Sequence, residues 1–204
     1  MSYKTVRQEG IAEQIIERSK FIAFVKPVLD REEALAYFEA LKRNYKDATH
    51  HVPALVLGDQ FQIQWASDDG EPQGTAGAPL VHMLVKEEIT NVAILVVRYF
   101  GGVKLGPGGL IRAYTSTAKL ALEAAEIKQV REMVELTVQV AYPFLQKIES
   151  LSSEGIFKIE NCDYSDTVTV TIMFGESEKQ AIKTMLADLT SGSLKILSEV
   201  CKTT

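Results

Sequence analysis

Cysteine is almost missing from this sequence of 204 residues. Its two copies, Cys162 and Cys201, form no CxxC pair, which excludes a disulfide framework and a zinc knuckle. Also missing is any run approaching the roughly 18 consecutive apolar residues of a membrane span. The opening "MSYKTVRQEGIAEQIIERSKF" carries charges throughout and has no apolar core of a secretory signal, so the expected compartment is the cytosol and no membrane partner is expected. No large excess of either charge exists: a net charge of −5 speaks against a protein coated by nucleic acid on all sides, although a local basic strip remains compatible with it. Repeats and low-complexity tracts are absent as well. What is present, 46% hydrophobic and 24% charged residues, is the composition of an ordinary globular protein long enough for one large domain or two small ones.

Apolar and polar residues alternate in pieces over 1–28, predicting a strand meander that ends at Pro27. "DREEALAYFEALKRNY" starts with an N-cap Asp30, has acids in its first turn and bases in its last, and predicts a helix. Two strands are expected at 52–58 and 61–67, joined through Gly58-Asp59, and then a helix capped by Thr75 and running to about Lys86. "NVAILVVRYF" (91–100) is the most apolar run in the chain and predicts a central strand buried on both faces. A long helix follows over 108–127, with apolar residues at 110, 111, 114, 118, 121, 122 and 125. Beyond about Val130 the pattern restarts as strand, helix from Pro143, two strands around a turn near Ser165-Asp166, a helix capped by Ser177, and a last strand. This β-α-β-β-α-β order is that of a split-βαβ, ferredoxin-like unit, so two domains are expected, 1–130 and 131–204, in an α+β protein.

Charge separates the halves. Residues 131–204 hold 7 Lys+Arg against 11 Asp+Glu, whereas 89–122 contain Arg98, Lys104, Arg112 and Lys119 and no acid. Inside that basic window, "RYFGGVKLGPGGLIRAY" (98–114) places five of the 13 glycines in nine positions. It matches neither GxxxxGK[ST], because Gly106 is followed by Pro107-Gly108, nor GxGxxG, because Ile111 stands at the third glycine position. Its ingredients are nonetheless those of an anion site. Pro107 is favoured at the first helical position, the N–H groups of Gly108, Gly109 and Leu110 would then be free, and Lys104 and Arg112 would close over a phosphate. The alternative is that the glycines let the helix pack tightly on the sheet, with the cations merely solvated.

"SDDGEPQGTAGAP" (67–79) brings Asp68, Asp69 and Glu71 into one turn. The spacing is not that of an EF-hand, which leaves an Asx-type bend at Asp69-Gly70, or acids that pair with Arg98 or Arg112 and tie the two segments together. His50 and His51 are adjacent, so in extended backbone they point to opposite faces; no HExxH or HxH pattern exists, and neither a metal nor a cofactor is expected. A hydrogen-bonded, half-buried histidine and a general base are both open for this pair.

The acidic and glycine segments together, with "THHVPA" upstream and "RSKFIAFV" near the start, resemble the IMPACT/YigZ family over essentially the whole chain. The resemblance implies an N-terminal domain with the α/β fold shared with ribosomal-protein domains and domain IV of elongation factor G. It also implies a ferredoxin-like C-terminal domain similar to domain V of that factor. Eukaryotic relatives regulate translation by competing for the activator of a starvation-responsive initiation kinase. Carried over by their place in the matching motifs are His51; Asp68, Asp69, Gly70, Glu71, Pro72, Gly74, Thr75 and Gly77; and Arg98, Tyr99, Phe100, Gly101, Gly102, Lys104, Leu105, Gly106, Gly108, Gly109, Arg112 and Tyr114. The leading expectation is a non-enzymatic, translation-associated and stress-linked protein. Its segment 98–114 contacts phosphates of RNA or the ribosome, with Tyr99 and Tyr114 available to stack on bases. Two rivals stand beside it: a hydrolase of a phosphorylated small molecule using His51 with Asp68 or Glu71, and a regulator that binds only a protein partner.

Overall fold

The computed structural model describes residues 2–203. The first unit, Tyr3–Gln129, is built on an antiparallel sheet of order β2-β3-β6-β4-β5: β2 Gly10–Ile16, β3 Ser19–Pro27, β4 His50–Leu57, β5 Ile63–Ala66 and β6 Val92–Tyr99. The expected meander is therefore two strands of this sheet, while its first piece, β1 (Ser2–Val6), lies outside it, as does β7 (Ile127–Val140). Both faces of the first sheet are covered. Phe21, Ala23 and Val25 of β3 and Ile94 and Val96 of β6 pack with α2 (Gly77–Lys86) and α3 (Gly106–Ala124). Ile22 and Phe24 of β3 and Ala93, Leu95 and Val97 of β6 pack with Phe38 and Leu41 of α1 (Arg31–Asn44). Because successive side chains of a strand point to opposite faces, a strand between two helical layers has to be apolar throughout, which is why 91–100 reads as one continuous run.

Asp30 caps α1, accepting from the Glu33 N–H at 2.8 Å. Two other expected caps are absent. Thr75 turns inward and donates to the Pro72 carbonyl at 2.7 Å, and the first N–H groups of α2 are taken by Asp68 instead. Ser177 lies in a single 3-10 turn, Glu176–Glu178, ahead of α5 (Lys179–Leu189), and makes no cap bond there. Ile111, expected on the buried stripe of α3, is exposed, since the stripe runs through Leu110, Ala113, Tyr114, Thr117, Ala118, Ala121 and Leu122.

The second unit, from Val130 onward, has the element order β7, α4 (Tyr142–Ser153), β8 (Lys158–Tyr164), β9 (Val168–Gly175), α5 and β10 (Lys195–Thr203). Its strands lie in the antiparallel order β10-β7-β9-β8. β9 alternates buried and half-buried residues along its length, and its buried set, Val168, Val170, Ile172 and Phe174, shares a core with Val134, Leu136 and Val138 of β7, Ile148 of α4 and Ile182 and Leu186 of α5. The division between the units falls inside β7, between Gln129 and Val130, and not in a Pro- or Gly-rich linker.

Candidate functional site

The glycine segment begins where β6 ends. The Phe100 N–H donates to Thr49 Oγ1 at 3.0 Å and the Gly101 N–H to Ser19 Oγ at 3.2 Å, which pins the chain against β3 and β4. A Cβ at residue 101 would overlap the Arg18 carbonyl oxygen, so only glycine allows this approach. Gly106, at φ +70°, turns the backbone into α3, with Pro107 next. The helix thus starts two residues earlier than expected. Gly109 and Leu110 enter its hydrogen-bond ladder, and the donors without an intrahelical partner are those of Gly106 and Gly108.

Beneath this segment lies a buried polar network. Glu71 and Arg98, with side chains 3% and 5% exposed, pair with Oε1 to Nη1 at 2.6 Å. Tyr114, fully buried, donates its hydroxyl to the same oxygen at 2.7 Å. Burial first, and then that bond to the carboxylate, raises the Tyr114 pKa, so the phenol stays protonated as a donor. Arg98 Nη2 reaches Ser19 Oγ at 3.3 Å, and the guanidinium lies 5.3 Å from the ring centres of both Phe21 and Phe100. The acids and the basic segment therefore meet through Glu71 and Arg98.

His50 completes the network from β4. Its Nδ1 lies 2.8 Å from the Asp69 carbonyl oxygen. A carbonyl only accepts, so Nδ1 carries the proton, and in the neutral ring Nε2, which lies 3.8 Å from Glu71 Oε1, is left as an acceptor. Asp69 sits at φ +46° beside Gly70 at +85°, the two central residues of a backbone turn closed by the Glu71 N–H donating to the Asp68 carbonyl at 3.0 Å, and not an Asx turn, because the Asp69 carboxylate accepts the His51 N–H at 2.7 Å. Asp68 accepts from Gly74, Ala76 and Gly77 at 2.7, 3.1 and 2.8 Å.

Several expected roles change on this geometry. Arg98 is buried and ion-paired, so it is not a phosphate ligand. Tyr114 cannot stack on a base because it has no exposed surface, and Tyr99 is half-buried with its hydroxyl donated to Asp47 at 3.1 Å. His51 points away from Glu71 and binds the Tyr45 carbonyl through Nε2 at 2.8 Å, while Asp68 is occupied with the start of α2; a set of His51 with Asp68 or Glu71 is not assembled. The histidine beside Glu71 is His50. Strand alternation predicted that only one of the pair would face the site, but its phase depends on register, here His50 opposite Arg98 and His51 opposite Val97. The exposed aromatic of the segment is Phe100, not either tyrosine.

Two concavities adjoin the segment. A groove of about 670 Å³ along α3 is lined by Lys104, Arg112, Ser116 and Lys119, with Glu17 on its other side. Lys119 pairs with Glu87 at 2.8 Å, whereas Lys104 and Arg112 are exposed and make no ion pair among the described residues. A pocket of about 370 Å³ is floored by His50, Glu71 and Arg98 and walled by Pro72, Phe100, Leu105 and Leu110, with Lys104 and Gly106 also lining it. Among the described residues no three His, Cys, Asp or Glu side chains cluster as metal ligands do, and no helix is long and apolar enough to cross a membrane.

Residues 17–122 match the Impact N-terminal domain, and residues 138–193 match a domain of unknown function, DUF1949. The chain is 36% identical over 195 residues to the IMPACT family member YvyE of Bacillus subtilis, covering 96% of this chain and 90% of that one. It is 35% identical over 185 residues to the IMPACT family member YigZ of Escherichia coli, covering 90% and 91%. Protein IMPACT of the mouse is 36% identical over 95 residues, 44% of this chain and 29% of the mouse protein. A crystal structure described as that of a hypothetical protein, 33% identical, aligns over 97% of both chains with a TM-score of 0.60. The chain belongs to the IMPACT family, in the two-domain form shared with its bacterial relatives.

Proposed function

We propose that this protein is a non-enzymatic, cytoplasmic regulator of translation that binds RNA or ribosome phosphates through Lys104, Arg112 and the first turn of α3. The observation that carries this reading is that Lys104 and Arg112 are exposed and line one groove and, unlike Arg98 and Lys119, have no carboxylate partner among the described residues. Next to them the Gly106 and Gly108 N–H groups stand at the positive end of a 19-residue helix, an arrangement that favours an anion. The likeness to elongation-factor domains IV and V that the family resemblance implies supports a ribosomal context.

Wild-type protein should co-sediment with ribosomes at low salt and be released as salt rises, with a log–log slope of roughly −0.7 per phosphate contacted on a single strand. The Lys104→Ala/Arg112→Ala variant, both positions being exposed, should keep its fold and stay in the supernatant. Wild-type protein that remains in the supernatant at low salt would instead favour a regulator acting through a protein partner.

A further inference from the structure

The 370 Å³ pocket has features that phosphate binding alone does not call for. Its size is at the lower end of small-molecule sites, and like them it combines apolar walls with a few fixed polar groups. Phe100, 45% exposed, lies with its ring centre 5.3 Å from the Arg98 guanidinium and its backbone N–H bonded to Thr49, so it offers an anchored aromatic surface at the pocket wall. In the neutral ring, with Nδ1–H held by the Asp69 carbonyl, His50 Nε2 is left as a hydrogen-bond acceptor. Arg98, 4% exposed, keeps its Nε–H without an acceptor among the described residues although both terminal nitrogens are engaged. The charged lining is Arg98, Glu71 and Lys104; the first two neutralise each other, which leaves the positive charge of Lys104 beside Gly106 at the start of α3. The pocket thus suits a ligand with a flat aromatic body, a donor for His50, and an anion at one end.

We propose that this pocket takes one nucleotide unit, with its base against Phe100 and donating to His50, and its phosphate at Lys104 and the first-turn N–H groups of α3. All four bases carry a ring or exocyclic N–H donor on the edge used for pairing, and all have a face that stacks on an aromatic ring. Phe100 therefore supplies affinity for any base, and the fixed position of the His50 acceptor favours the bases whose donor reaches it while the ring is stacked. The inference deepens the phosphate-binding reading and rests on it for RNA as the source, because an unstacked base of a single strand and a free mononucleotide present the same chemistry.

Amide spectra of the full chain, titrated with the four ribonucleoside 5′-monophosphates, the matching nucleosides and ribose 5-phosphate, test it. At least one mononucleotide should shift the amides of residues 49–50, 71 and 100–110 and bind roughly tenfold or more tightly than ribose 5-phosphate, with nucleosides also weaker. Phe100→Ala, at a half-exposed position, should preserve the spectrum elsewhere and remove that advantage, and His50→Phe should flatten the differences among bases. Ribose 5-phosphate binding as tightly as every mononucleotide, or Phe100→Ala leaving affinity unchanged, overturns the proposal. Adding a hexanucleotide separates the sources: tighter binding than the mononucleotide identifies RNA, and equal binding identifies the free nucleotide. Ribosome co-sedimentation without base-dependent affinity sinks the pocket but leaves the phosphate reading standing. Base-dependent mononucleotide binding without co-sedimentation does the reverse.

Discussion

Glu71 takes two hydrogen bonds, from Arg98 and Tyr114, on one oxygen in the interior of the first unit, and it links the acidic turn, the central strand and α3. A buried pair of this kind contributes little net stability against an apolar pair of the same shape, but removing one partner leaves the other charged and unpaired. Arg98→Met should therefore cost about 3–5 kcal/mol in urea unfolding. Arg98→Met/Glu71→Leu should recover a large part of that loss, and a double variant as unstable as the single one would show that Arg98 acts through its packing between Phe21 and Phe100 rather than through its charge. The pairing of these two segments was one of the alternatives open in the sequence, because three acids face a window without any. Which acid and which cation would meet was not legible, since it depends on the side to which the turn at Asp69-Gly70 folds.

At the scale of the element, α2 shows how a helix start can be secured by a residue that does not adjoin it. Asp68, nine residues before Gly77, binds the N–H groups of Gly74, Ala76 and Gly77. Burial raises its pKa, but these three bonds to the charged form more than offset this, and the carboxyl titrates below its usual value. A depressed folded-state pKa means stability that is fully present above the unfolded value of about 3.9 and lost as pH falls through the folded value. Asp68→Ala should thus cost about 0.5–2 kcal/mol at neutral pH, in the range of lost helix caps, and the gap to wild type should close on acidification below about pH 4. A gap that stays constant down to pH 2 would mean that the carboxylate's charge is irrelevant. Local propensity pointed to Thr75 as the cap; competition among neighbouring acceptors, settled by the turn geometry, selected Asp68. The start of α3 moved for a comparable reason. Gly106 at positive φ makes the turn, so the free donors are Gly106 and Gly108 rather than Gly109 and Leu110.

At the scale of the whole molecule, each of the two units encloses its own core, the first on both faces of its sheet and the second on one. The single tryptophan, Trp65, lies on β5 of the first unit. Tryptophan fluorescence should therefore follow the unfolding of that unit, while far-ultraviolet circular dichroism follows both, and the two urea curves should not coincide. Superimposable curves would show that the chain unfolds as one cooperative block. Strand and helix order, the all-apolar β6, the capped α1 and the β-α-β-β-α-β half were legible in the sequence, as was the unusual pairing of a glycine-rich basic segment with an acidic turn, because local periodicity and composition record which faces are buried. Tertiary structure decided the rest. It buried Arg98 and Tyr114, turned His50 rather than His51 toward Glu71, left Lys104 and Arg112 exposed, and formed the pocket under Phe100, since strand register and the fold of a loop determine which of several similar side chains meet and no local pattern records that choice.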